Sequence, residues 1–304
     1  MAKRDLISVL DMKDEWPDLV DLAIKIKKER GNHNAPLKGK TLIMIFEKPS
    51  TRTRISFDVA ITELGGHALY IDGSNVHMGH GETVEDTAKV MSRFAHGIMY
   101  RAYDYKVMDR IGEVATVPVI SGLDNLEHPC QALADMVTIK EKKGSFRGKK
   151  LVYLGDGNNV CNSLLYSSAV MGLDMIACCP ATRMPNAEIM LGAARIADAN
   201  GCKISASHDP MEACKDADIL YTDTWISMGD DTPVDKAIKL FSMYQINSEL
   251  LSIAKKDCIV MHCLPAHRDQ EITAEVMDGP QSVVFDQAEN RLHAQKAVLY
   301  TLLK

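Results

Sequence analysis

The 304-residue sequence lacks the patterns that mark membrane and secreted proteins. No run of apolar residues approaches the roughly 18 that a transmembrane helix requires, so we expect no membrane span. The N-terminal stretch MAKRDLISVLDMKDEW has no apolar core of the length found in secretory signal peptides. Together these absences predict a cytoplasmic protein.

The eight cysteines show neither metal-site spacing nor a disulfide framework. No CxxC motif is present, which argues against a structural zinc site. Cys178, Cys179 and Cys258 stand inside apolar runs, where reduced, buried thiols are expected. His77 and His80 resemble a metal pair, but no carboxylate or cysteine at ligand spacing completes them. We therefore expect no metal site.

Positive charge is in deficit, with 35 Lys and Arg against 41 Asp and Glu and a net charge of -6 at pH 7. This balance argues against binding to nucleic acid or to an anionic membrane. Arginines gathered at one place would instead indicate a small anionic ligand. With 46% apolar residues among 304, the chain is long enough to build a full core, and its length predicts two domains.

Short apolar runs alternate with amphipathic helical patterns along the whole chain, which is typical of βαβ architecture. The expected strands are residues 41–46, 68–71, 98–100, 117–120, 151–154, 175–178, 203–206, 219–221, 258–261 and 283–285. We expect an α/β fold of two doubly wound parallel-sheet domains joined by interdomain helices. The predicted domains are residues 1–143 and 144–287, with the helical pattern of residues 288–304 packing back on the first domain.

Residues 41–64, TLIMIFEKPSTRTRISFDVAITEL, predict a buried strand, a tight corner and a helix that Ser50 or Thr51 caps. Arg52 and Arg54 fall in the first helical turn, where the macrodipole disfavours cations by roughly 0.3–1 kcal/mol each. A phosphate held by the helix amides, the hydroxyls and a guanidinium would reverse that penalty. A capped helix with solvated arginines is the alternative interpretation.

Polar residues also follow other predicted strands, at the sheet edge where ligands bind in parallel α/β folds. They are Arg101, His128-Pro129-Cys130-Gln131, Gly155 to Asn159, Asp223 with Ser227-Met228-Gly229, and His262-Cys263-Leu264-Pro265. The first-half residues suit a phosphate and an oxyanion, and the second-half residues suit a substrate carrying an amine. Each also has an ordinary structural explanation, such as a surface arginine, a capping histidine or a core thiol.

The Gly155 to Asn159 stretch is a weak dinucleotide fingerprint, because Val160 stands where the third glycine belongs. A non-catalytic nucleotide-binding α/β protein is therefore a distant alternative.

Taken in order along nearly the whole chain, these motifs resemble those of the ornithine carbamoyltransferases. The corner, Arg101 and the His128 motif are shared by carbamoyltransferases generally, whereas Ser-Met-Gly and His-Cys-Leu-Pro are similar to the ornithine-specific branch. The resemblance implies transfer of the carbamoyl group from carbamoyl phosphate to the side-chain amine of L-ornithine, giving L-citrulline and phosphate. It implies a homotrimer with active sites between subunits, and whether the trimers assemble further is left open. A carbamoyltransferase for putrescine or an acylated ornithine is the nearest alternative.

By position, the resemblance assigns a role to each matching residue. The implied carbamoyl phosphate ligands are Ser50, Thr51, Arg52, Thr53, His77 of a neighbouring subunit, Arg101, His128, Gln131, Cys263, Leu264 and Arg291. The implied ornithine ligands are Asn159, Asp223, Ser227 and Met228. Arg101, His128 and Cys263 are the implied catalytic residues.

The chemistry of these residue types agrees with that assignment. Attack of an amine on carbamoyl phosphate makes a tetrahedral oxyanion, and donors from Thr53, Arg101 and His128 would stabilise it by about 3–4 kcal/mol per well-placed donor. An alkylamine has a pKa of about 10.4, so ornithine must lose a proton on or before binding. We expect Asp223 and Cys263 to orient its amines and residues 227–229 to close over it. No cofactor is required, because phosphate is itself the leaving group.

Overall fold

The computed structural model describes residues 3–32, 34–75, 81–226 and 230–304. The chain divides into two compact units, Met1–Val137 with Glu289–Lys304, and Thr138–Ala288. Each unit contains one parallel sheet flanked by helices, which confirms the predicted α/β fold with two parallel-sheet domains. No helix in the described ranges has the length and apolar character needed to cross a membrane.

The first unit is built on a sheet with the strand order β2-β1-β3-β4. Its strands are β1 (Thr41–Phe46), β2 (His67–Asp72), β3 (Gly97–Arg101) and β4 (Val119–Leu123). Its helices are α1 (Trp16–Lys28), α2 (Thr51–Glu63), α3 (Val84–Phe94), α4 (Tyr105–Val114) and α5 (Pro129–Lys143), which ends in the second unit. A 3₁₀ helix, Val9–Glu15, precedes α1, and another spans Gly73–Asn75.

The second unit is built on a sheet with the order β7-β6-β5-β8-β9. Its strands are β5 (Lys150–Leu154), β6 (Asp174–Cys178), β7 (Ile204–Ser207), β8 (Ile219–Thr222) and β9 (Ile259–His262). Its helices are α6 (Asn159–Met171), α7 (Ala187–Asn200), α8 (Pro210–Cys214), α9 (Val234–Phe241), α10 (Ser248–Ile253) and α11 (Ala274–Met277), with a 3₁₀ helix at Ser242–Tyr244. The last helix, α12 (Val284–Leu303), begins in this unit and lies mostly in the first.

The central strands form because their side chains are apolar on both faces, as in β1, where residues 42–46 are all buried. Helix α2 follows directly and begins where predicted. Ser50 is extended and its hydroxyl accepts the Thr53 N–H at 3.3 Å, so Ser50 is the cap. Gly65 has a φ of +88°, and a Cβ there would lie 2.6 Å from the Cβ of Ala35, so this turn requires glycine.

The predicted strand at residues 283–285 is wrong, because α12 begins at Val284. Only an isolated bridge between Ser282 and Val260 joins this segment to the sheet. Phe285 then lies 69% exposed on the first turn of the helix. A three-residue apolar run cannot separate a strand from the start of a helix, since both bury Val283 and Val284 equally well.

Candidate active site

Five buried polar side chains of the first unit come together where its strands end, and we call them the arginine cluster: Thr53, Arg101, His128, Gln131 and Arg291. Thr53 lies in the first turn of α2, and Arg101 is the last residue of β3. His128 and Gln131 lie at the start of α5, and Arg291 is on α12. Parallel strands deliver the first four residues to one edge of the sheet, as expected for an α/β ligand site, and α12 supplies Arg291.

The two guanidinium groups of the cluster converge on one hydroxyl. Thr53 Oγ1 accepts from Arg291 Nη2 at 3.2 Å and from Arg101 Nη1 at 3.5 Å, and it also accepts from the Ser50 hydroxyl at 3.1 Å. Arg291 Nη1 donates to Gln131 Oε1 at 2.7 Å. These contacts aim two positive groups at the N-terminus of α2, where an anion is also favoured by the helix amides.

The surroundings of His128 in the arginine cluster lower the pKa of its side chain. Burial lowers the pKa of His128 well below its usual range, and the nearby Arg291, Arg101 and Arg52 lower it further. His128 is therefore neutral at pH 7 and has one N–H to donate. The positive charge of the cluster belongs to its arginines.

Two cations near the corner differ from expectation. Arg54, predicted beside Arg52 in the first turn of α2, is exposed and lies with its guanidinium 3.8 Å from the centroid of the Tyr70 ring. Lys48, which the sequence analysis did not select, is buried, and burial followed by the charge of Arg101 lowers its pKa. A lysine just before a Pro-Ser turn gives no sequence signal of burial.

The backbone beside Arg101 requires a small residue. The register between β3 and β4 shifts between Tyr100 and Arg101, and Arg101 Nη1 also donates to the Gly122 carbonyl at 3.5 Å. A Cβ at Gly122 would lie 2.7 Å from Met99 Sδ and 3.2 Å from Arg101 Cβ. Glycine at this position therefore lets the Arg101 side chain take its place in the cluster.

In the second unit, a group that we call the carboxylate cluster forms around Asp223, just after β8. Asp223 Oδ2 accepts from Asn158 Nδ2 at 2.8 Å, and Oδ1 accepts from the Cys263 thiol at 2.9 Å and from the Thr224 N–H at 2.8 Å. The orientation of the Asn158 amide is fixed, because its Oδ1 caps α6 by accepting the Val160 and Cys161 N–H groups. Its N–H₂ group must then face Asp223.

Asn158, which precedes the Asn159 that the resemblance selected, is bonded to Asp223 through its amide. Asn159 is the first residue of α6 and is half-buried. Adjacent asparagines after a glycine-rich strand end cannot be told apart from sequence, because either is a good helix cap. Ser227 and Met228, together with His77 of the first half, lie outside the described residues.

Arg183 forms an ionic group with two carboxylates next to the carboxylate cluster, and the sequence patterns did not predict it. Arg183 Nη1 lies 3.0 Å from Asp230 Oδ2 and 3.8 Å from Asp156 Oδ2, and Nη2 donates to the Thr232 hydroxyl at 2.8 Å. Burial raises the pKa of Asp156 to about 6 in spite of Arg183. This carboxyl therefore changes its protonation near pH 6.

The segment after β9 is held by a buried histidine. His262 Nδ1 accepts the Leu264 N–H at 2.9 Å, and its Nε2 lies 3.0 Å from Glu271 Oε1. Leu264 has a φ of +61° and precedes a cis peptide bond to Pro265. Asp223, His262 and Cys263 present ligand atoms within 4.8 Å of one another, a spacing that would suit a metal ion. A metal there would displace hydrogen bonds that these atoms already make.

Comparison with known proteins gives matches over nearly the full chain. Residues 4–141 match the family model described as aspartate/ornithine carbamoyltransferase, carbamoyl-P binding domain, and residues 147–302 match the Asp/Orn binding domain of the same description. The catabolic ornithine carbamoyltransferase of Thermoplasma volcanium is 50% identical over 303 residues, covering 100% of this chain and 99% of that protein. The ornithine carbamoyltransferase of Methanobrevibacter smithii is 53% identical over 300 residues, covering 99% of each chain.

Solved structures of ornithine carbamoyltransferases are also similar to this chain over nearly its whole length. The ornithine carbamoyltransferase from Pyrococcus furiosus is similar with a TM-score of 0.96 and 47% identity, over 99% of this chain and 97% of that chain. The ornithine carbamoyltransferase from Gloeobacter violaceus is similar with a TM-score of 0.90 and 42% identity over 100% of both chains.

Proposed function

The chain belongs to the aspartate/ornithine carbamoyltransferase family, and from this premise we propose how its residues perform the reaction. The chain is an enzyme that transfers the carbamoyl group of carbamoyl phosphate to the side-chain amine of L-ornithine, giving L-citrulline and phosphate. Both family models and the full-length relatives named ornithine carbamoyltransferase support this activity, which agrees with the prediction from sequence.

The observation that carries the proposed site is the convergence of Arg101 and Arg291 on Thr53 at the N-terminus of α2. Ser50, Thr51, Arg52 and Thr53 hold the phosphate, because this helix end supplies amides, hydroxyls and a guanidinium to an anion. The carbamoyl group is held by the rest of the arginine cluster: Arg101, His128, Gln131 and Arg291. His77 of a neighbouring subunit is the further carbamoyl phosphate ligand that we propose.

The arginine cluster stabilises the oxyanion of the tetrahedral intermediate. Arg101 and neutral His128 donate to the carbamoyl oxygen as negative charge develops on it, and Thr53 adds its hydroxyl. Buried donors act strongly here because little water competes for the oxyanion. Arg52 and the helix N-terminus stabilise the departing phosphate, which leaves as an anion.

The carboxylate cluster binds ornithine. Asp223 attracts an ammonium group, and the thiol of Cys263, bonded to Asp223 Oδ1, lies beside the position of the attacking amine. That amine attacks in its neutral form, after losing one proton to solvent; as the C–N bond forms and the C–O bond to phosphate breaks, its second proton leaves with the phosphate. Asn159, Ser227 and Met228 complete the ornithine site, and Cys263 and Leu264 line the point where the two substrates meet.

The proposal also includes the domain bounds, the cofactor requirement, the assembly and the location of the enzyme. The carbamoyl phosphate-binding domain comprises residues 1–143 with the C-terminal helix, and the ornithine-binding domain comprises residues 144–287. The enzyme works without metal or organic cofactor, as a homotrimer in the cytoplasm.

The test is formation of the carbamoylated amine from carbamoyl phosphate with L-ornithine, putrescine and L-aspartate compared at saturating concentrations, citrulline being the product with ornithine. We expect product with ornithine alone. Activity only with putrescine would retain the arginine cluster as the carbamoyl phosphate site and reject the ornithine assignment. No activity with any amine, combined with NADH binding in a fluorescence titration, would favour the nucleotide-binding alternative.

A further inference from the structure

Glu271 is a fully buried carboxylate that closes the segment running from the end of β9 towards α11. Its Oε1 lies 3.0 Å from Nε2 of His262 and accepts the backbone N–H of His267 at 2.5 Å. The same carboxylate therefore ties the strand end to the middle of the segment. Between these two ties lie Cys263 and Leu264.

The hydrogen bonds of His262 permit only one tautomer. A backbone N–H can only donate, so Nδ1, which receives the Leu264 N–H at 2.9 Å, carries no proton. The ring proton must then be on Nε2, where it is donated to Glu271 Oε1. A carboxylate only accepts, and it therefore selects this tautomer over the other. The second tautomer would point an N–H at the N–H of Leu264.

The backbone of His262 is also held by hydrogen bonds. The His262 N–H is accepted by Gln287 Oε1 at 2.9 Å, and Gln287 Nε2 donates to the Tyr221 hydroxyl at 3.1 Å. Both His262 and Glu271 are 0% exposed. The imidazole thus acts as a fixed acceptor for a residue whose backbone has a φ of +61°, a conformation that a leucine rarely adopts without support.

We propose that Glu271 is a positioning residue for carbamoyl transfer: it fixes the tautomer of His262, and His262 in turn holds the backbone of Leu264 beside Cys263. This inference rests on the proposed function, because Leu264 is a substrate-lining residue only there. It assigns to a buried acid–histidine pair the task of setting the geometry at which the two substrates meet. A shift of about 1 Å at such a point costs on the order of 100-fold in rate.

The test uses the full-length enzyme with Glu271→Gln. Glutamine has nearly the same shape, but it can present either its oxygen or its amide N–H₂ to Nε2, so only the Leu264 N–H would still disfavour the tautomer protonated on Nδ1. We expect kcat for citrulline formation to fall about 10- to 100-fold. Competitive inhibition by inorganic phosphate against carbamoyl phosphate should stay within about twofold of the parent value, because the phosphate corner does not involve Glu271.

Asp218→Asn is the matched control. Asp218 is also a fully buried carboxylate of the second unit, but it lies at the amino-terminal edge of the sheet, where it bonds Lys255 Nζ and the Lys150 N–H. We expect it to lower the melting temperature while kcat stays within about twofold. If both variants lose stability and neither loses kcat, Glu271 is structural only and the proposal is wrong.

The tautomer itself is measurable. In a long-range ¹⁵N–¹H imidazole spectrum, the His262 signal, identified by its loss in His262→Gln, should show an unprotonated Nδ1 in the parent and a mixture of tautomers in Glu271→Gln. An unchanged tautomer would overturn the mechanism even if kcat fell.

A pair of substitutions at His262 separates its two bonds and does not depend on Glu271→Gln folding well. His262→Asn keeps an acceptor near the Leu264 N–H and loses the bond to Glu271, whereas His262→Gln reaches Glu271 and leaves the Leu264 N–H without that acceptor. We expect the Asn variant to retain more kcat, and the reverse order would contradict the proposal. A parent enzyme that forms no citrulline would reject the proposed function instead, which is a distinguishable result.

Discussion

The arginine cluster and the carboxylate cluster carry opposite charges, but both orient their charged groups with uncharged partners. In the first unit, guanidinium groups are oriented by uncharged acceptors, the Thr53 hydroxyl and the Gln131 amide oxygen. In the second, the Asp223 carboxylate is oriented by uncharged donors, the Asn158 amide and the Cys263 thiol. Neutral partners fix the direction of a charged group without cancelling its charge. Each cluster thus keeps its charge available for a group of the opposite sign.

Removing a charge from the arginine cluster should have the largest effect. Arg101→Met keeps a buried side chain of similar length and removes a donor to the oxyanion, so we expect kcat to fall about 10³-fold. Steady-state citrulline formation measures it. Arg110→Met is the control, since Arg110 forms an ion pair with Glu85 on the surface of the same unit. Equal activity of the two variants would remove Arg101 from the mechanism.

Neutralising the carboxylate cluster should affect one substrate only. We expect Asp223→Asn to lower kcat/KM for ornithine about 100-fold, because the isosteric amide no longer attracts an ammonium group. The inhibition constant of inorganic phosphate should be unchanged, which can be measured in the same assay. Unchanged turnover at all ornithine concentrations would contradict the comparison between the two clusters, as would a parallel loss of phosphate affinity.

The raised pKa of Asp156, about 6, predicts a stability gain on neutralisation. Above pH 6 the folded protein carries a buried charge that the unfolded chain holds in water, and this penalty fades as pH falls from 6 towards 3.8. Asp156→Asn should therefore raise the free energy of unfolding by about 1–3 kcal/mol at pH 7.5, with little difference at pH 4. Urea unfolding at both pH values measures this. Asp257→Asn, at an exposed carboxylate, is the control, and a destabilised Asp156→Asn at pH 7.5 would refute the argument.

His128 in the first unit should show the opposite slope. Its lowered pKa means that below about pH 6.5 the unfolded chain binds a proton that the folded protein refuses, so folding becomes less favourable as pH falls. The loss is at most about 1.4 kcal/mol per pH unit. Comparing unfolding free energies of the parent and His128→Asn between pH 7 and 5.5 isolates it. A parent that loses no more stability than the variant over this range would show that His128 is not held neutral.

Local patterns were sufficient to predict β1, the corner and the start of α2, because a buried apolar strand and a Ser cap are both set by neighbouring residues. Strand-end positions selected Thr53, Arg101, His128 and Gln131, and the family resemblance added Arg291. What the resemblance did not supply is the bonding: that Arg291, far along the chain, donates to both Thr53 and Gln131 depends on long-range packing.

Other features of the structure also lack a clear local signal in the sequence. Glu271 gave no signal because its importance lies in the tautomer of a histidine nine residues earlier, and no spacing rule describes that contact. Asn158 and Asn159 are equivalent as letters, and only the capping geometry separates them. The error at residues 283–285 arose because burial alone, without length, does not distinguish a strand from a helix.

The two hydrogen bonds of Gln131 limit which side chains could replace it in the arginine cluster. Its amide donates to Asp135 Oδ1 at 2.9 Å and accepts from Arg291 at 2.7 Å, so it works as a spacer between an acid and a base. A glutamate in its place could accept from Arg291 but has no N–H for Asp135, so two buried carboxylates would face each other. The oxygen of one neutral amide thus directs Arg291 while its nitrogen satisfies Asp135, and an acidic side chain at this position would lose the second contact.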